Sequence, residues 1–334
     1  VILLCWAVPA VAWSQDRHLS QEIGLVEPWR FRTTAASVRG SRATPADVKA
    51  IESSVKRLAS LILAAPLLNP PKGFQAFLAG ALIEPDYLQA KSRGPAGMPL
   101  AVSMRFGAGA YYVDANSTGP AGTPPKRRIA TQINQIDFLI NSISPVTLDH
   151  IGATRWEDTQ GEFYLEPPVT GQVAGFPLYK DLMVIARRGE SIWAPVSQER
   201  FLKVWIEDLR SGTTSAALRT STLKSVEERL ASLSATERKA PVCVIPPKEP
   251  VRWQMTLAPM GTPGCRRIVE ANIEMFNPKL PRSAIQLITV EGIQECRELV
   301  AAGDKKATGP GDCTVNLELV RQMDWQRAAA LLEK

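Results

Sequence analysis

The chain has 334 residues, 45% of them hydrophobic and 22% charged, proportions that exclude intrinsic disorder and supply enough apolar material for a sizeable core. At roughly 100–200 residues per domain, that length suits two loosely separable halves. The formal net charge is +6, but the basic residues are scattered in short runs such as Lys126-Arg127-Arg128, so the charge pattern speaks against a nucleic-acid partner.

Residues 1–12 read VILLCWAVPAVA, an uncharged apolar run. It is shorter than the roughly 20 residues of a spanning helix and suits the hydrophobic region of a secretory signal. Small residues permit cleavage after Ala12 or Ser14, so residues 1–14 are read as a signal remnant that takes Cys5 with it. A buried first element and an uncleaved anchor are the competing readings. No later segment approaches 18 consecutive apolar residues, so the mature chain is expected to carry no transmembrane segment and to be exported, periplasmic or secreted.

The first strong element starts at Thr44-Pro45-Ala46-Asp47, where an N-cap residue precedes proline at the first helical position and an acid in the first turn. Val48, Ile51, Val55, Leu58, Leu61 and Ile62 follow at helical spacing, predicting an amphipathic helix that ends before Pro66. From about 98 to 196 the signal turns to strands, with Leu100–Phe106, Tyr111–Val113 and an alternating run over Ile129–Ile140 whose apolar residues fall on both faces. Leu182–Ala186 and Ile192–Val196, joined by Arg187-Arg188-Gly189-Glu190, read as a β-hairpin. Helical period returns at Ser197, with Phe201, Leu202, Trp205, Ile206 and Leu209 on one face, and a second run through Leu223, Val226, Leu230 and Leu233 makes a helical hairpin or one kinked helix. Beyond Lys239 the chain is proline-rich, with short strands near Gln254–Leu257 and Ala284–Val290 and a closing helix at Asp324–Glu333.

Four cysteines remain after the signal, Cys243, Cys265, Cys296 and Cys313, and an even count in an exported chain reads as disulfides. Three pairings are possible; sequence neighbours, Cys243 with Cys265 and Cys296 with Cys313, are the simplest. A zinc-thiolate site is the weaker reading, because such sites bring their cysteines in close pairs and these do not.

With two histidines in the whole chain, His18 and His150, a multi-histidine metal centre cannot be built and no metal is expected. His150 stands beside Asp149, and Glu157, Asp158, Glu162 and Glu166 follow in a stretch that also holds Trp156 and Tyr164. These residues are the candidates for acid/base chemistry of the kind glycosidases use, set against the plainer reading of a solvated turn. No nucleophile elbow, phosphate loop or dinucleotide fingerprint is present, and no cofactor is expected. Trp193, Trp205 and Trp253 read as core, with a ligand pocket as the other reading.

The resulting expectation is an α+β fold: an antiparallel sheet with an N-terminal helix and a helical hairpin packed on it, and a disulfide-tied C-terminal region. In residues, 15–196 hold the helix and sheet, 197–238 the helical hairpin and 239–334 the proline-rich region. The function expected is an exported, non-catalytic protein that binds an unidentified ligand or an envelope partner. The alternatives are an exported hydrolase using the 149–166 carboxylates and an envelope structural or assembly component.

Overall fold

A computed structural model describes residues 17–18, 21–83, 98–113, 120–122, 128–135, 163–179, 181–187, 190–211, 216–245, 256–304 and 313–332. Its first long element is the one the N-cap signal marks. Helix α2 (Pro45–Leu63) follows the short α1 (Ala35–Ser41), and Thr44 Oγ1 accepts from the Asp47 backbone N–H at 3.1 Å while Asp47 Oδ2 accepts from the Thr44 N–H at 2.9 Å. This reciprocal box satisfies donors that a helix start leaves open. The buried face of α2, centred on Ile51, Val55 and Leu58, packs on a large sheet.

Among the described residues that sheet has ten strands: β1 (Arg17–His18), β2 (Arg30–Arg32), β3 (Phe74–Leu82), β4 (Val102–Val113), β5 (Pro120–Gly122), β6 (Arg128–Ile133), β8 (Val169–Val173), β9 (Phe176–Tyr179), β10 (Leu182–Ala186) and β15 (Leu287–Glu291). The main path runs β2-β3-β4-β6-β15-β10-β9-β8, with β1 and β5 pairing with β4. Every pairing is antiparallel except β2 with β3. Burial alternates residue by residue along β3, so Phe74, Ala76, Leu78 and Leu82 face α2, and Gln75, Phe77, Ala79 and Ala81 face the other way. Helices α7 (Cys313–Gln322) and α8 (Trp325–Ala329) complete the cover of the inner face through Leu319, Val320 and Trp325.

A second sheet, of five strands among the described residues, runs β11 (Trp193–Pro195), β14 (Arg266–Ala271), β12 (Cys243–Ile245), β13 (Thr256–Ala258), with β7 (Tyr164–Leu165) pairing with β14. The helical hairpin, α3 (Gln198–Ser211) and α4 (Ala216–Ser232), packs on this sheet, with Phe201, Leu202, Val226, Val244 and Ile268 in one buried cluster. The short α5 (Ala235–Lys239) follows. The α+β fold and its antiparallel pairing thus hold, divided between two sheets. The small sheet meets the outer face of the large one at one end, where Trp193 and Val269 pack with Leu182, Val184 and Leu287.

The hairpin expected from Leu182–Ala186 and Ile192–Val196 does not form. β10 pairs with β9 and β15, and β11 pairs with β14 in the other sheet. The reason lies in β10 itself: Leu182, Met183, Val184 and Ile185 are at most 3% exposed, and a strand apolar on both faces belongs inside a sheet with neighbours on both edges. Conversely, the split apolar pattern over 129–133 corresponds to β6, which is buried on both faces from Ile129 to Ile133; Gln135 ends the described residues there, and 136–140 lie outside them.

Asn134 locks the ends of three strands. It sits at positive φ (56°), a conformation asparagine tolerates, and is wholly buried. Its Nδ2 donates to the carbonyls of Leu100 (3.1 Å) and Ala284 (2.8 Å), and its Oδ1 accepts from the N–H groups of Gln286 (2.7 Å) and Leu287 (3.1 Å).

The cysteines pair as sequence neighbours. Cys243 joins Cys265, with Cα atoms 5.7 Å apart, and ties β12 to the turn before β14. Cys296 on α6 (Ile293–Ala301) joins Cys313 at the start of α7, with Cα atoms 4.9 Å apart.

Candidate functional site

The acid/base candidates Asp149, His150, Glu157, Asp158 and Glu162 lie outside the described residues, as do Trp156 and Trp253. Glu166 is described, and it is engaged: its two carboxylate oxygens accept from Nε and Nη2 of Arg267, and its carbonyl accepts from Arg266 Nη2 at 2.8 Å. A carboxylate held by both arms of one guanidinium fork serves to brace the start of β14. Among the described residues no three histidine, cysteine, aspartate or glutamate side chains gather as a metal centre would require.

The side chains that do converge on a cavity belong to the helical hairpin and the small sheet. Ser197 starts α3, its Oγ accepting from the Arg200 N–H at 3.3 Å. This start sets the helix so that Phe201, Leu202 and Trp205 share one face, toward β12 and β14. Phe201 lies 5.8 Å from Phe163 and meets Trp205 edge-on at 6.0 Å between ring centroids, spacings at which aromatic rings attract beyond their burial. Helix α4 runs beside α3, and Arg210 Nη2 bridges to Glu227 Oε1 at 2.7 Å across the pair. Where the helices and the β12–β13 edge fail to close completely, a cleft of about 800 Å³ remains.

The lining is divided by chemistry. Phe201, Leu202, Trp205, Val226, Val242 and Leu257 make an apolar wall and floor. Ser221, Thr222, Ser225 and Arg229 of α4 make a polar edge, at spacings of one, four and eight residues that keep them on one side of a helix. Met260, 49% exposed, stands at the mouth on the turn that the Cys243–Cys265 bond secures. Trp205 is 9% exposed, and its buried Nε1 has no acceptor among the described residues.

Charge at the mouth is modest. Glu237 belongs to the lining, and its carboxyl is held below the usual carboxylate range, chiefly by the hydrogen bonds it accepts from Ser234, with a smaller contribution from the Arg229 guanidinium. The cleft therefore offers an apolar body, hydroxyls along one rim, and one arginine facing one glutamate. That combination suits a molecule with an apolar part and a polar end.

Trp205, for which the sequence leaves core and pocket as alternatives, closes the apolar cluster from one side and lines the cleft from the other. The serine, threonine and arginine of α4 went unmarked, because a polar stripe on a helix ordinarily faces water. No family model, curated protein or solved structure matches this chain.

Proposed function

We propose that this protein is an exported binding protein that takes an amphiphilic small molecule in the cleft between the helical hairpin and the small sheet. The carrying observation is the cleft itself: about 800 Å³, within the roughly 300–1,000 Å³ of small-ligand sites, with an apolar wall opposite a hydroxyl-bearing edge. Two disulfides support an oxidising compartment, and among the described residues no helix is long and apolar enough to cross a membrane. The apolar run at 1–12 supports export by the same signal logic as above.

The test uses the full mature chain and Nile red, an uncharged apolar dye. Saturable binding with one class of site is expected. Ser225→Trp, which fills the cleft from an exposed helix position, should abolish it, and Lys224→Trp, one residue along and outside the lining, should not. Equal dye binding by both variants would sink the reading. Stable co-purification with another envelope protein, without dye binding, would favour the partner reading instead.

A further inference from the structure

The outer face of the large sheet is covered by the small sheet at the β10–β15 end, and the opposite end carries a trough of about 420 Å³ whose lining includes Arg30, Arg32, Arg105 and Arg128. We infer that this trough is a binding site for a small oligophosphate or phosphate-ester ligand, separate from the cleft of the helical hairpin.

The strand register builds the trough. Across β2, β3, β4 and β6 one row reads Arg30, Ala79, Arg105, Ala130, and the next reads Arg32, Ala81, Ser103, Gln132. On the other side of the first row, Phe77, Gly107 and Arg128 lie opposite one another. Long cationic side chains therefore alternate with alanine, glycine and serine, and the small residues form the floor. Strands spaced at about 4.8 Å put Arg30 and Arg105 roughly 9–10 Å apart at the backbone. Arg128 is the diagonal neighbour of Arg105, at about 7–8 Å. The edge strand β2 is pinned from the inner side, where Trp29 lies against Gly80; a Cβ there would come within 2.5 Å of the indole ring.

Among the described residues, acids leave most of this charge uncompensated. Glu27 approaches Arg30 at 3.6 Å and also accepts from Gln75 at 3.0 Å. Arg128 lies over the Phe77 ring at 5.6 Å, which orients it without neutralising it. Arg32 and Arg105 make no ion pair or hydrogen bond among the described residues. Farther along the first row, Glu291 lies beyond Ala130, close enough for Arg105 to favour its ionised form. Guanidinium groups present planar forks matched to tetrahedral phosphate oxygens. Their placement on the edge strand β2 and on the neighbouring pair β4 and β6 suits an anion that accepts from several directions at once, and the volume suits a small molecule.

The test is titration calorimetry of the full mature chain with tripolyphosphate at moderate salt. Arg105→Gln/Arg128→Gln should weaken binding by at least about tenfold, the factor that one charge-assisted hydrogen bond carries. Arg210→Gln/Arg321→Gln removes the same charge elsewhere and should change it less than about twofold. Ala79→Phe, which fills the trough at constant charge, should lose binding as the first pair does while keeping the far-ultraviolet spectrum of the parent. Equal losses in the two arginine pairs would reduce the effect to net charge and overturn the proposal. So would unchanged binding by Ala79→Phe, equal affinity for tricarballylate, or binding to anionic phospholipid vesicles with none to tripolyphosphate.

Discussion

The large sheet and the small sheet of this protein are held together by different means. In the large sheet β3 and β4 pair along all nine residues of β3, and one face is sealed by α2, α7 and α8 with Leu58, Leu78, Met104, Ile288 and Leu319 between them. The small sheet has one strand of six residues, β14, and four of two or three. It depends on the helical hairpin for cover, and on the Cys243–Cys265 bond and the Glu166–Arg267 fork for registration. Long paired strands let burial alone fix the arrangement. Short strands leave gaps that cross-links must hold open in a defined shape, and the amphipathic cleft lies in such a gap.

Asn134 offers the hardest break on the large-sheet side. Asn134→Ala removes four hydrogen bonds to buried backbone groups and leaves alanine at positive φ. A loss of at least about 4 kcal/mol is expected, at about 1 kcal/mol for each of the four bonds, with the cost of the stranded partners added to it. Urea unfolding should show a lower midpoint at unchanged slope. A loss below about 1 kcal/mol would mean that burial of β6 and β15 suffices without this junction.

On the small-sheet side the matching break is Cys243→Ser/Cys265→Ser. The bond spans a separation of 22 residues, for which chain-entropy reasoning gives about 3 kcal/mol. The more telling readout is the cleft: Nile red affinity should fall in this variant, because the turn carrying Pro259 and Met260 is released. Neither cysteine of the Cys296–Cys313 pair between α6 and α7 lines the cleft, and its serine variant should lose stability without losing dye. Dye binding that survives both replacements would show that the short strands hold the cleft without a covalent tie.

The contrast between the sheets also governs what could be read in advance. The Thr44–Asp47 cap and the spacing of Ile51, Val55 and Leu58 are local signals, and α2 appears where they place it. The hairpin face from Phe201 to Leu209 is legible for the same reason, and so are the cysteine pairs, since neighbours close the shortest loops. β3 escaped notice because FQAFLAGAL is rich in alanine and lacks the β-branched residues that mark strands. β10 was assigned to the following segment although its partners are β9, immediately before it, and β15, about a hundred residues later; the Pro-containing FPLY of β9 carries a weak strand signal, and nothing within β10 or β15 encodes the distance between them. Both cavities are equally non-local: one joins α4 to a turn after β13, and the other appears only when four strands are set in register.

Glu291 reports on the junction between the two ends of the outer face. Its carboxyl is pushed up to about 7, first by burial and then by the nearby charge of Asp181, with Glu295 adding to the rise and Arg105 opposing it. A folded-state value above the unfolded 4.5 means that the folded protein holds its proton longer, so stability declines as pH rises from about 4.5 and levels off above about 7. Discounted for solvent screening, the effect is of order 1 kcal/mol. Melting temperatures at about pH 5.5 and about pH 8.5 should differ in the parent, and Glu291→Gln should lessen the difference. An unchanged pH dependence in that variant would assign the titration to other groups.

The smallest effect expected is at Arg210 and Glu227, and it decides what holds the helical hairpin together. Their side chains are 62% and 42% exposed, and an exposed ion pair contributes about 0.5 kcal/mol because water and salt screen it while two long side chains lose freedom. Leu209, adjacent in sequence, is 2% exposed, and its truncation to alanine should cost about 3 kcal/mol through lost burial and the cavity left behind. A double-mutant cycle over Arg210→Ala and Glu227→Ala isolates the charge coupling from each residue's own packing. A coupling near 0.5 kcal/mol that fades with added salt would place the stability of the hairpin in its apolar seam, so that α4 could shift by small amounts over the cleft without unfolding. A coupling above about 2 kcal/mol would instead make the pair a clamp that fixes the width of the cleft.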